Sequence, residues 1–189
     1  ANNPDCPLMP DFKNDKKECF HPENFDGTFR GAVSLRQALG QSINIPAVKV
    51  LYLARLSDVV KRANEFGLKT LTSPNLYGLS LVLGGGAVRL SDLVGAYSAL
   101  AKEGVRYEQD MVLEIRDSEG NILELNTPKG TRVVAEQYAR IINNILSDID
   151  IRRGLFQNSL HLTTFQGHDV ALKTGTSDDY RDAWAIGYT

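Results

Sequence analysis

The sequence predicts an α+β fold in which a cluster of helices packs with an antiparallel sheet. Three observations lead to this class. Helix start and stop signals recur through the middle of the chain, two apolar runs flank a Gly-Asn turn, and the chain closes on two strand-like segments joined by a polar turn. The length of 189 residues suits one domain with a real core. We expect an extended loop over residues 1–31, a mainly helical part over 32–168 and two sheet strands over 169–189.

Residues 1–31 contain four prolines, many charges and no hydrophobic period, which is typical of an extended loop. Helix signals follow this segment, because capping serines and terminating glycines bracket apolar periods. The predicted helices are 35–39 capped by Ser34, one from about Pro46 to Leu56, 58–66 capped by Ser57, one from Ser91 to Glu103, and an amphipathic helix over 133–149.

Strand signals appear in two places. Residues 111–116 and 122–125 are short apolar runs around a Gly-Asn turn, which predicts a small β-hairpin at about 110–126. Residues 169–174 and 182–188 form the closing pair, and a polar turn at Ser177-Asp178-Asp179 joins them.

Composition excludes several classes of protein. An apolar fraction of 42% with 23% charged residues is that of an ordinary globular domain. The net charge of −2 and the lack of a basic tract give no electrostatic footprint for nucleic acid. No apolar run approaches the length of a membrane span, and the first residues lack a signal-peptide pattern.

The two cysteines, Cys6 and Cys19, lie in a polar segment that contains prolines. Their spacing is not C-x2-C, and the three histidines form no recognisable ligand set with them, so the sequence predicts no zinc site. Two free thiols and one disulfide both remain open.

Lys173-Thr174-Gly175-Thr176 stands at the end of the first closing strand. An ammonium, two hydroxyls and a glycine on an extended backbone suit a carboxylate ligand. The ammonium supplies charge, the hydroxyls donate hydrogen bonds and Gly175 lets another backbone approach. Taken alone, such a tetrapeptide is more often a solvated sheet edge.

Ser42-Ile43-Asn44 lies between the first two predicted helices. A hydroxyl and an amide two residues apart, in a loop that both helices pin, can face one cleft and relay a proton. The alternative is local, since both side chains could cap the helix that Pro46 starts. Ser73-Pro74-Asn75 matches the same pattern and is interpreted as a turn.

Context separates these readings, because several segments together resemble the transpeptidase domain of class A penicillin-binding proteins. Each segment is weak alone, but they occur in the family's order from about residue 20 to the last residue. They are the approach to the second motif at 22–27, the second motif at 39–48, the glycine loop and its helix at 83–86 and 96–101, and the third motif and next strand at 173–176 and 181–189.

The resemblance implies a penicillin-binding and serine β-lactamase-like fold and a D,D-transpeptidase that works through a serine acyl-enzyme. It implies three catalytic residues in this chain. Ser42 would relay a proton to the leaving amine, Asn44 would hold the lysine of the first motif and the substrate amide, and Lys173 would provide positive potential.

The resemblance also implies substrate-binding roles for Thr174, Gly175 and Thr176. The hydroxyl of Thr176 is the better candidate for the substrate carboxylate, and its backbone N–H would supply half of an oxyanion hole. No metal and no organic cofactor are implied.

The family's first motif, Ser-x-x-Lys, is absent from the 189 residues, because no serine has a lysine three residues on. The family places that motif several tens of residues before Ser-x-Asn. We therefore expect the nucleophilic serine upstream of Ala1, in a fold incomplete at both ends, and expect this chain alone to be inactive.

The expected partners are peptidoglycan stem peptides ending in D-Ala-D-Ala and β-lactams, with no nucleic acid and a membrane reached only through an upstream anchor. The expected location is the extracytoplasmic face of the bacterial inner membrane. A β-lactamase is disfavoured, because no glutamate motif matches a water-activating base. A β-lactam sensor and a non-catalytic scaffold remain as alternatives.

Overall fold

The computed structural model describes residues 20–177 and 181–189. The expectations for Cys6, Cys19 and the rest of residues 1–19, and for the turn residues Asp178 and Asp179, lie outside the described residues. In the described part of the chain, no helix is both long enough and apolar enough to cross a membrane.

Helices provide most of the regular structure. In the described residues they are α1 (Leu35–Gly40), α2 (Asn44–Ala54), α3 (Leu56–Glu65), α4 (Leu90–Ala101), α5 (Glu136–Ser147) and α6 (Ile149–Phe156). Three short 3₁₀ segments connect them, at Pro74–Leu76, Leu79–Leu83 and Leu160–Thr163.

The strands form antiparallel two-stranded ribbons. They are β1 (Val105–Tyr107), β2 (Glu114–Arg116), β3 (Ile122–Leu125), β4 (Gly130–Arg132), β5 (Ala171–Thr176) and β6 (Ala183–Tyr188). Within the described residues β1 pairs with β4, β2 with β3, and β5 with β6. Helices with antiparallel sheet confirm the predicted α+β class.

The predicted cap of the first helix is confirmed. The backbone N–H of Gln37 donates to the Ser34 hydroxyl at 3.2 Å, and the backbone N–H of Ser34 donates to the Gln37 side chain at 3.1 Å. This reciprocal pair is a capping box, which satisfies two amides that a helix start otherwise leaves without partners.

The predicted caps at Ser57 and Ser91 are wrong, because both serines lie inside the first turn of their helices. Only Arg55 separates α2 from α3, and its left-handed backbone, with φ of 64°, turns the chain there. The carbonyl of Arg89 already accepts the amide of Leu93 at 3.0 Å, so α4 begins before Ser91.

The long helix predicted over 133–149 is shorter and is followed by an unpredicted one. The amide of Val133 donates to the carbonyl of Gly104 at 2.9 Å, which keeps that residue out of α5. At the other end Asp148 caps α6, since its carboxylate accepts the amide of Ile151 at 3.1 Å.

The ribbon of β1 and β4 was also not predicted. Gly104 allows it, because its φ of +92° suits glycine and a Cβ there would lie 2.3 Å from the carbonyl oxygen of Val134. The hairpin of β2 and β3 lies where the sequence predicts one, with all seven residues exposed.

The core lies between the helices and the start of β5. Ala99 on α4 and Ala139 on α5 are fully buried, which indicates close packing of these two helices. The other buried apolar residues are Ala38, Ile43, Val48, Leu51, Val60, Leu71, Ala96, Val133, Ile145, Leu146, Ala171 and Leu172. Arg152 is buried among them, and its guanidinium donates to the carbonyls of Leu146 and Thr163.

Candidate active site

Strand β5 carries its polar motif from the core to the surface. Ala171 and Leu172 are buried, Lys173 and Thr174 are half-buried, and Gly175 and Thr176 are exposed. The strand packs against α5 on one side and pairs with β6 on the other. Lys173 therefore stands where the strand leaves the core.

Ser42 lies in the tight connection between α1 and α2. Its amide donates to the carbonyl of Leu39 at 3.1 Å, and the amide of Ile43 donates to the carbonyl of Ala38 at 2.9 Å. These bonds hold Ser42 in the left-handed region, with φ of 54°, which is uncommon for a residue other than glycine. The buried side chain of Ile43 anchors the connection next to it.

The structure brings Lys173 and Ser42 together. The ammonium of Lys173 donates to the Ser42 hydroxyl at 2.6 Å and to the carbonyl of Thr174 at the same distance. Burial lowers the pKa of Lys173 to about 8. A lysine with such a pKa stays mainly protonated at neutral pH but releases a proton more readily than an exposed lysine. The pair can therefore supply positive charge or pass a proton through the hydroxyl.

The side chain of Asn44, the first residue of α2, points towards Glu23 and not towards Lys173. Its side-chain amide donates to the backbone carbonyl of Glu23 at 2.9 Å rather than making a hydrogen bond to Lys173. Because one N–H is used in this way, the side-chain oxygen and the second N–H remain to meet other groups.

The remaining predicted site residues follow Lys173 along β5. Thr174 lies opposite Ala185, Gly175 opposite Trp184 and Thr176 opposite Ala183 in the β5–β6 register. Thr174 contributes its carbonyl to the Lys173 contact. Exposed Gly175 and Thr176 leave the end of the strand open to another molecule.

Sequence reasoning missed a set of side chains around Ser42. Residues 23–30 form a turn, named here the Asn24 turn, that lies against the Ser42 connection. Asn24 accepts the amide of Ile45 at 3.1 Å, and Arg30 donates to the side chain of Gln41 at 2.5 Å. The Asn-x-Asp-Gly sequence signals a turn, but nothing in it indicates which segment the turn contacts.

The Asn24 turn and the Ser42 connection line a shallow cleft that is open to solvent. Its lining residues are Asn24, Phe25, Asp26, Arg30, Gln41, Ser42 and Ile43. A hydrogen bond from Arg30 lowers the pKa of Asp26 to about 2, so this carboxylate is charged at neutral pH. A charged pair and an aromatic ring thus line the same cleft as Ser42.

A polar brace supports β6 behind the site. The hydroxyl of Tyr188 donates to the side-chain oxygen of Asn143 at 2.8 Å, and the amide of that asparagine donates to the carbonyl of Leu100 at 2.9 Å. The rings of Tyr97 and Tyr188 meet edge to face, with centroids 6.1 Å apart. Burial raises the pKa of Tyr188 to about 12, so its hydroxyl stays protonated. The brace ties β6 to α4 and α5.

The site contains no obvious metal centre. Within residues 20–177 and 181–189, no group of three or more His, Cys, Asp or Glu side chains is arranged to hold a metal ion. The polar group that contacts the Ser42 side chain is instead the ammonium of Lys173, a donor for an anionic or carbonyl oxygen.

The family model for the penicillin binding protein transpeptidase domain matches residues 11–189 of this chain. Penicillin-binding protein 1A of Aquifex aeolicus is 30% identical over 185 residues, which cover 98% of this chain and 24% of that protein. The chain spans about a quarter of the length of the curated relatives it matches.

Solved structures show the same fold. Penicillin-binding protein 1A from Haemophilus influenzae matches with a TM-score of 0.73 and 20% identity, covering 93% of this chain and 31% of that one. The imipenem acyl-enzyme complex of penicillin-binding protein A from M. tuberculosis matches with a TM-score of 0.71 and 19% identity, covering 88% of this chain and 42% of that one. The fold predicted from the resemblance is confirmed, and the chain belongs to the penicillin-binding protein transpeptidase domain family.

Proposed function

We propose that the protein to which this chain belongs is a serine D,D-transpeptidase that cross-links peptidoglycan stem peptides and is acylated by β-lactams. The observation that carries the proposal is the 2.6 Å contact between Lys173 and Ser42 in a chain of this family. It joins residues of two separate motifs where β5 leaves the core, next to the exposed part of the strand that an extended substrate can reach.

The proposed reaction begins on a serine of a Ser-x-x-Lys motif, which the 189 residues lack. That serine, in the part of the protein before Ala1, attacks the carbonyl of the penultimate D-alanine, and the terminal D-alanine leaves as an amine. An amine from a neighbouring stem peptide then takes the acyl group and frees the serine. No metal or organic cofactor takes part.

Ser42 passes a proton to the leaving amine in this scheme. Its hydroxyl already accepts a hydrogen bond from Lys173, so its own proton is free to point towards a substrate. Lys173 keeps the relay poised and adds positive potential for the substrate carboxylate. Asn44 presents its remaining side-chain groups to the first-motif lysine and the substrate amide.

Thr174, Gly175 and Thr176 bind the substrate in the proposed mechanism. The exposed end of β5 lets a substrate backbone lie along Gly175, and the Thr176 hydroxyl donates to the carboxylate. The Thr176 backbone N–H gives one half of the oxyanion hole, and the amide of the nucleophilic serine gives the other. β-Lactams take the place of D-Ala-D-Ala at the same groups, and the reaction takes place on the extracytoplasmic face of the inner membrane.

Labelling with a fluorescent penicillin tests this function. The protein that includes the Ser-x-x-Lys segment should be covalently labelled, and the 189-residue chain should not. Stable labelling of the 189-residue chain itself would show that the nucleophile has been misplaced. Failure of the longer protein to label would favour a non-catalytic scaffold, and labelling without transfer to an acceptor amine would favour a β-lactam sensor.

A further inference from the structure

The Asn24 turn is closed by its own hydrogen bonds. The amide of Gly27 donates to the carbonyl of Asn24 at 2.8 Å, and the Asn24 side chain donates to the carbonyl of Thr28 at 2.7 Å. The carboxylate of Asp26 accepts the amide of Thr28 at 3.1 Å and pairs with Arg30. The turn is therefore a preformed unit and not a loose connection.

This unit contacts both sides of Ser42. On the amino-terminal side Arg30 donates to Gln41, and on the carboxyl-terminal side Asn24 accepts from Ile45. A further bond joins the Asn44 side chain to the carbonyl of Glu23. Three hydrogen bonds thus hold the residues that flank the Ser42 hydroxyl.

The start of α2 depends on this support. Ile43 occupies the N-cap position, and its side chain cannot accept a hydrogen bond from the first helical amides. Pro46 has no N–H, so Asn44 and Ile45 carry the first amides that need acceptors. Asn24, 21 residues earlier, supplies the missing acceptor to Ile45. It acts as an N-cap from outside the helix.

We propose that Asn24 is a positioning residue, which fixes the first turn of α2 and so holds Ser42 against Lys173. Ser42 sits in a left-handed conformation that costs energy unless its surroundings determine it. Loss of the acceptor for Ile45 would let the connection relax towards commoner backbone angles and move the hydroxyl away from the ammonium. This inference rests on the proposed function, because it concerns the reaction that Ser42 is proposed to serve.

The test is made in the full protein that carries the nucleophilic serine, with Asn24→Ala and Asn24→Asp compared. Acylation by a fluorescent penicillin is resolved into reversible binding and the rate constant of acylation. Asn24→Ala should lower the rate constant roughly ten- to hundredfold, as expected for a misplaced proton relay, while changing reversible binding much less. Asn24→Asp keeps the acceptor for Ile45 at a helix N-terminus but loses the donor to the carbonyl of Thr28, so its rate constant should fall between those of the wild type and Asn24→Ala.

Asn121→Ala is the matched control, since Asn121 also closes an exposed turn with its side chain but lies in the β2–β3 hairpin. It should leave acylation unchanged. A double-mutant cycle separates positioning from folding: in a Ser42→Ala background, Asn24→Ala should cost less than about threefold, because the relay is already gone. An undiminished loss in that background would overturn the proposal, as would wild-type acylation by Asn24→Ala.

Amide hydrogen exchange at Ile45 gives a readout that does not need penicillin. Exchange should speed by roughly tenfold in Asn24→Ala and remain near the wild-type rate in Asn24→Asp. If the wild-type protein is not acylated at all, the proposed function fails, whereas the positioning of α2 by Asn24 is still decided by this exchange rate. Unchanged exchange in Asn24→Ala would overturn it.

Discussion

The ammonium of Lys173 lies 2.6 Å from the hydroxyl of Ser42, although 131 residues separate them in the chain. Strand β5 delivers the lysine and the connection between α1 and α2 delivers the serine, so the contact depends on the packing of β5 and α1 against α5.

Lys173→Ala in the acylation-competent protein should reduce acylation efficiency by roughly ten- to hundredfold, because it removes a charge-assisted hydrogen bond worth about 1.5–3 kcal/mol. The loss is larger if the lysine also poises Ser42. Stopped-flow acylation and a thermal melt measure the two effects. Lys129→Ala, at an exposed position before β4, is the control and should change neither. Normal acylation by a normally folded Lys173→Ala protein would remove Lys173 from the site.

The pKa of Lys173 predicts how stability changes in alkaline solution. Burial lowers this pKa to about 8 from an ordinary value of 10.5. Below about pH 8 the lysine is charged in both the folded and the unfolded chain, so folding carries the full cost of burying the charge. Between pH 8 and 10.5 the unfolded chain binds more protons than the folded chain, so this group makes the free energy of unfolding rise with pH.

Comparison with Lys173→Met isolates that contribution, because the variant lacks the titrating group. Thermal melts from about pH 7 upward should show the wild type gaining stability relative to Lys173→Met as the pH passes from 8 to 10.5. Exposed Lys129→Met should show no such relative change. A constant difference between the wild type and Lys173→Met would mean that the Lys173 ammonium is not desolvated in the folded protein.

Part of the fold could be predicted from short motifs, because a helix cap such as Ser34 is a local property. The capping box at Ser34 needs only residues three apart, and the structure has it. The choice between Ser57 and Arg55 as the N-cap of α3 is not local in this way, since it depends on which residue turns the chain after α2. Propensity favours serine at a cap, but the left-handed backbone at Arg55 decides the position.

The support of Ser42 was beyond sequence reasoning for a related reason. Asn24 caps a helix whose own N-cap is Ile43, and no local rule connects a turn to a helix 21 residues away. Helix α6 was missed because Asp148 was included at the end of one long apolar period, whereas its carboxylate starts a new helix at Ile149. A contact distant in sequence decided the first case, and a local cap decided the second.

Tyr188→Phe should destabilise the protein by about 1 kcal/mol, because it removes the hydrogen bond to Asn143 and leaves that side-chain oxygen without the hydroxyl donor. Chemical denaturation followed by circular dichroism measures the change. Tyr138→Phe is the control on α5, since the Tyr138 side chain is 56% exposed and water can replace its partner. Equal effects of the two substitutions would show that the brace at Asn143 adds nothing to stability.

Gly40→Ala should disturb both stability and the position of Ser42, two residues later. A Cβ at Gly40 would lie 2.4 Å from Cγ2 of Ile151 on α6, and 3.4 Å from its Cβ. Because α1 and α6 cannot approach so closely with a methyl group between them, we expect a loss of about 1–3 kcal/mol, measured by denaturant unfolding. Gly78→Ala is the control, because a Cβ there meets nothing within 4 Å.

Ile151→Ala removes the Cγ2 atom and should rescue part of the loss when combined with Gly40→Ala. Taken alone, Ile151→Ala leaves a cavity and lowers stability. The sign of the coupling between the two substitutions therefore shows whether the added methyl group at Gly40 clashes with Ile151. The double variant should lose less stability than the sum of the losses of the two single variants. Its acylation rate should also recover, since α1 can return to its place and carry Ser42 back towards Lys173. Additive losses would show that the Ile151 side chain does not constrain the end of α1.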